Sequence, residues 1–192
     1  MRLGLIILLL ALSSCDDPFP DSSQDAVKKY LEAIRDRDTD IIWGLAFHAN
    51  VLAEIAQEHN RTMPQLKNDF EGVYEKDIYP NLSPKQCDCL LEKLDDLEHV
   101  RVPGSEMGGG WKPEGNYMDA HLPGLDGQSF SSDESISASP YQQWFWECGI
   151  EGFTAWGLYW ILSAVEDRDG RFYPMGPFVA LKGFYELQIE LP

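Results

Sequence analysis

Apolar residues recur at helical spacing through the first half of the chain and alternate with polar ones near its end. Val27, Tyr30, Leu31 and Ile34 fall at i, i+3, i+4 and i+7, with Lys28, Lys29, Glu32, Arg35 and Asp36 on the opposite side. Ser22, with Asp25 three residues later, has the spacing of a capping box in front of this run. Asp38 or Thr39 is placed to cap a second helix with Ile41, Ile42, Leu45 and Ala46 on its apolar side, and Val51, Leu52, Ile55 and Ala56 continue the period toward Asn60. Thr62 and Gln65 repeat the capping-box spacing ahead of Leu66, Phe70, Val73 and Tyr74, with Pro64 where an early-helix proline is tolerated. Ser83-Pro84 opens a further helix, lined by Cys87, Leu90, Leu91 and Leu94, and Pro103 stops the pattern.

From 103 to 140 no period is sustained. Gly108-Gly109-Gly110, prolines and serines predict an irregular segment, into which Trp111, Tyr117 and Phe130 bring aromatic weight. Beyond it the pattern predicts sheet. Trp144, Trp146, Cys148 and Ile150 alternate with Phe145, Glu147 and Gly149. Trp156 through Val165 is apolar throughout, as in a strand covered on both sides. Asp169-Gly170 marks a hairpin turn before Phe172-Tyr173. Tyr185, Leu187, Ile189 and Leu191 alternate with Glu186, Gln188 and Glu190, which predicts a half-buried strand. Helices first and strands last make an α+β fold, with N-terminal helices packed on a curved antiparallel C-terminal sheet.

The first 14 residues carry one positive charge, Arg2, and an apolar run from Leu3 to Leu12. The run is about half the roughly 20 residues a spanning helix needs, and fits the hydrophobic region of an export signal. Leu12-Ser13-Ser14-Cys15 resembles the lipobox of bacterial lipoproteins: an aliphatic residue, two small ones, then the cysteine whose thiol takes the diacylglyceryl group. The resemblance implies a signal peptide over 1–14, lipidation at Cys15, a tether over 15–23 and one domain over 24–192, held at the cell envelope through its lipid. Asp16 and Asp17 resemble the inner-membrane retention signal of enteric lipoproteins, while in other phyla acidic residues there accompany transfer to the outer membrane or the surface. The opening Asp25-Ala26-Val27-Lys28-Lys29-Tyr30-Leu31-Glu32-Ala33-Ile34 and the ending from Trp160-Ile161-Leu162 to Asp169-Gly170-Arg171-Phe172 are similar to nuclear transport factor 2-like (cystatin-like) lipoproteins. That resemblance implies a cystatin-like fold over about a third of the chain. The superfamily spans enzymes, binding proteins and scaffolds, so it implies no single activity.

Charge narrows the choice of partner. Among 192 residues, 32 are acidic and 15 basic, a net charge of −17. Such a field repels nucleic acid and anionic headgroups and suits a basic envelope or secreted protein. Besides Cys15 there are Cys87, Cys89 and Cys148, so a disulfide from Cys148 to Cys87 or to Cys89 is expected in an oxidising compartment.

Candidate chemistry is sparse. Cys87-Asp88-Cys89 with His99 matches no strong zinc spacing, so neither a metal nor any other cofactor is expected. Trp144, Trp146, Trp156 and Trp160 are candidates for an aromatic binding surface, with His48 lining a pocket. His121, with Asp119 or Asp126, is the candidate acid/base pair, whereas His59 belongs to no catalytic motif. Glu166, Asp167 and Asp169 resemble a truncated calcium loop but fit an acidic hairpin turn better. The sequence therefore predicts a membrane-anchored, non-catalytic binding module. The alternatives are a small-molecule enzyme with a His–carboxylate pair in a cone-shaped pocket, and a structural component of an envelope complex.

Overall fold

A computed structural model describes residues 20–46, 49–103, 117–122, 147–150, 160–167 and 169–189. Five helices come first: α1 (Ser23–Asp36), α2 (Thr39–Ala46), α3 (Ala49–Glu58), α4 (Met63–Val73) and α5 (Pro84–Lys93). Four strands follow, β1 (Glu98–Pro103), β2 (Tyr117–Leu122), β3 (Ser163–Glu166) and β4 (Phe172–Pro174), and α6 (Gly176–Ile189) closes the chain. The strands form one antiparallel sheet in the order β1-β2-β3-β4. The fold is α+β.

Helix α1 is the hub. Its face of Ala26, Val27, Tyr30, Leu31 and Ile34 is buried, and it packs against α2, α5, β3 and β4. Ser22 Oγ accepts the Asp25 N–H at 3.1 Å, capping the first turn. The helix begins at Ser23, inside the segment read as tether, because Ser23 itself is buried. Its end is set by Arg37 in the left-handed region at φ 55°, whose N–H returns to the carbonyl of Ile34. Thr62 and Gln65 form the expected reciprocal capping box of α4. At the start of α5, Gln86 Oε1 accepts the Ser83 N–H at 2.7 Å.

At the centre, Tyr30 and Tyr74 are fully buried and joined hydroxyl to hydroxyl at 2.8 Å. Burial holds both phenols above their ordinary pKa, so each stays protonated. Gly176 lies so close to the Tyr30 ring that a Cβ there would sit 2.6 Å from its edge. Helix α6 is fixed further out by Tyr185, whose hydroxyl donates to Asp69 Oδ2 at 2.8 Å and whose ring stacks on His59.

Several expectations fail here. The alternating stretch from Tyr185 falls, as far as Ile189, in α6 rather than in a strand. Upstream residues decide this: Pro177 suits a first helical turn, and Phe178, Leu181 and Tyr185 sit at i, i+3 and i+7, with Leu181 and Tyr185 buried. Glu147 and Cys148 form a helical turn, not a strand, and Gly149 leaves it at φ 63°. The turn is held against α5 by three side chains: Gln86 donates to the Gly149 carbonyl, Cys89 bonds Cys148, and Lys93 pairs with Glu147. Trp160 and Ile161 are helical, and the strand begins only at Ser163. The segment 103–140, read as irregular, contains β2 and the end of β1. In α2, Ile42, Leu45 and Ala46 are buried, but Ile41 faces outward.

Candidate functional site

The β1–β2 register sets His99 opposite His121 and Arg101 opposite Asp119. Alternation along β2 puts Tyr117, Asp119 and His121 on one face and Met118 and Ala120 on the other. Polar groups from three strands and α1 therefore meet on a single face. His121 and Asp119 form its floor, only 4% and 2% exposed, while the His99, Arg101 and Tyr117 side chains are roughly half exposed at its rim.

His121 Nε2 lies 3.1 Å from Ser23 Oγ, tying β2 to the first residue of α1. Its backbone N–H donates to the Leu162 carbonyl, which fixes the strand behind it. Burial first and the charge of His99 second, opposed by Asp119, push the imidazole down to about 4. The shift favours the neutral imidazole, whose tautomer sets whether Nε2 or the serine hydroxyl donates in this bond.

Asp119 is differently placed. His99 Nε2 is 3.0 Å from its Oδ1 and Arg101 Nε is 4.0 Å away. The His99 contact is off the hydrogen-bonding line, so this oxygen has ionic neighbours but no donor aimed at it among the described residues. Arg101 is occupied elsewhere, because its guanidinium pairs with Glu166 and lies 4.2 Å over the Tyr117 ring. The face holds two imidazoles and a guanidinium against two carboxylates.

Two open grooves lie elsewhere among the described residues. One, of about 440 Å³, lies between the α1–α2 turn and α4 and is lined by Asp36, Arg37, Asp38, Thr39, Asp40, Glu71 and Glu75. The other, of about 260 Å³, lies beside the start of α1 and includes Gln24, Asp25, Lys28 and Asp95.

The remaining sequence candidates are scattered. Cys15, His48, Trp144, Trp146, Trp156 and Asp126 lie outside the described residues. Trp160 is half-buried and packs on the core. The structure joins Cys148 to Cys89 and leaves Cys87 as a free thiol buried in α5, where burial, then Asp88, push it up to about 12. Cys89 and His99 do not assemble into a metal centre, and no group of three metal-ligating side chains occurs among the described residues. Asp167 Oδ1 accepts the N–H groups of Asp169 and Arg171, closing the β3–β4 turn, while Gly170 takes φ 77°. Glu166 points to Arg101, so these acids build a hairpin rather than a calcium loop.

Sequence reasoning missed Ser23, Arg101 and Tyr117 as members of the face. The strict alternation from Tyr117 to Leu122 was the available signal. Compared with known protein families, curated proteins and solved structures, the chain matches none.

Proposed function

We propose that this chain is a lipid-anchored protein of the bacterial cell envelope whose acidic body is a non-catalytic binding module for a basic protein. The observation that carries the reading is Leu12-Ser13-Ser14-Cys15 directly after a short apolar run, with the first helix starting eight residues beyond the cysteine. A tether of that length reaches at most about 28 Å, so the body would stay close to the bilayer. Similarity of the opening helices to nuclear transport factor 2-like lipoproteins points the same way.

Two structural features support the reading. The Cys89–Cys148 bond suits an oxidising compartment outside the cytoplasm. The groove of Asp36, Asp38, Asp40, Glu71 and Glu75 concentrates negative charge where a basic segment would dock, with Lys67 already paired to Asp40 at its margin.

Labelling with a radioactive fatty acid in the native host tests the anchor. The unaltered chain is expected to take up label and fractionate with membranes, and Cys15→Ser to lose both. An unaltered chain that never takes up label refutes the anchor. Affinity capture of the lipidated protein from its own envelope tests the partner, whose binding should fall steeply as salt is raised. Recovery of no stoichiometric basic protein at low salt refutes that part.

A further inference from the structure

A hydrogen bond between Ser23 and His121 ties the first turn of α1 to β2, and that contact is built from a titratable ring. We propose that it is an acid-opened latch: protonation of His121 releases the first turn of α1 from the sheet. The proposal does not depend on the lipid anchor.

The argument rests on what surrounds the ring. From β1 come His99, its ring centre 5.4 Å from that of His121, and Arg101, both of them cationic when protonated. From β2 comes Asp119, whose carboxylate already faces His99 at 3.0 Å and Arg101 at 4.0 Å. From β3 comes Glu166, which Arg101 engages. From α1 come Ser23, Asp25 in a salt bridge to Lys29, and the helix N-terminus itself, the positive end of its dipole. A charge on His121, a residue only 4% exposed, would be buried beside His99 and a positive helix end, and the nearest of these carboxylates, Asp119, already faces His99 and Arg101.

An imidazolium can only donate, so Ser23 Oγ keeps the bond as its acceptor only by keeping the charge buried. Opening the turn lets water reach the ring; it breaks the Ser23–His121 contact and the Gln24–Asp95 hydrogen bond at 2.8 Å, whereas the Ser22 cap is local to α1. The His121 pKa is about 4 in the closed state and near its ordinary 6.5 once released. The released form therefore binds more protons between those values. Closure is complete above the ordinary pKa and is lost as pH falls through the window toward 4.

Hydrogen exchange at the α1 first-turn amides of the full disulfide-bonded chain, corrected for intrinsic rates, reads the latch directly. Between pH 7 and pH 4.5 the opening constant should rise at least about tenfold. His121→Gln keeps a hydrogen-bonding side chain that cannot titrate, and should stay protected at pH 4.5. His99→Gln removes the positive neighbour, so the acid response should shrink. Side-chain NMR of the native protein should show His121 still neutral at pH 5. A His121 that titrates near 6.5 in the closed state overturns the proposal. So does native protection unchanged at pH 4.5, or a His121→Gln chain that opens with the native pH profile.

Discussion

Replacing Gly176 by alanine probes the centre of the molecule. The added Cβ would stand 2.6 Å from Tyr30 Cε1 and Oη and 2.8 Å from Cζ, well inside van der Waals contact. Tyr30 cannot swing away cheaply, because it is fully buried and its hydroxyl is bonded to Tyr74, whose ring packs on Phe70 and Tyr79. The backbone at 176 does not lie in the left-handed region, so alanine carries no conformational penalty there and the whole cost is steric. Overpacking of this kind costs about 1–3 kcal/mol, and loss of the Tyr30–Tyr74 bond would add about 1. We expect a loss of roughly 2–3 kcal/mol, a fall in Tm of about 4–12 °C for a chain of this size. Urea denaturation followed by tryptophan fluorescence measures it. The control is Gly72→Ala in α4, where nothing lies within 4 Å of the new methyl and alanine should stabilise by about 0.5–1 kcal/mol. Should Gly176→Ala and Gly72→Ala shift the midpoint alike, α6 does not meet Tyr30 as described and the packing argument fails.

Two further outcomes follow from the cysteines. The Cys89–Cys148 bond spans 59 residues, a loop whose closure is worth about 4 kcal/mol in the chain-entropy account. Reduction, or Cys89→Ser, should lower the urea midpoint accordingly, and equal midpoints with and without reductant would count against a stabilising bond. In the Cys15→Ser chain, iodoacetamide at pH 8 should leave Cys87 unmodified while the protein is folded and label one thiol in urea. Rapid labelling of the native chain would show that Cys87 is neither buried nor protonated as described.

Helices were legible wherever their own residues decided them. In α1 and α4 the apolar period, the N-terminal caps and the burial agree, because each helix carries both its stripe and its start. The sheet was less legible. In β2 the buried alternate positions hold Asp119 and His121, so a rule that expects apolar residues inside reads the strand as loop. At α6 the local alternation from Tyr185 obeys one period and the longer run from Phe178 another, and packing on Tyr30 and Asp69 selects the helix. The turn at Glu147 and Cys148 is imposed by α5, some fifty residues earlier, which no local pattern records. The candidate face was half visible: His121 and Asp119 were paired from the sequence, but Ser23 and Arg101 reach them only through the strand register and the docking of α1.

The position of α1 has a consequence for how the molecule is made. This helix leaves the ribosome before the other described helices, yet Tyr30 cannot be enclosed until Gly176, far downstream, has been made. For most of translation its greasy stripe has nothing permanent to rest on. Long-range closure of this kind slows folding and leaves the unfinished chain prone to sticking to its neighbours. A holding chaperone that recognises the stripe around Val27 and Ile34 would guard the interval, and would let go once the last helix seats.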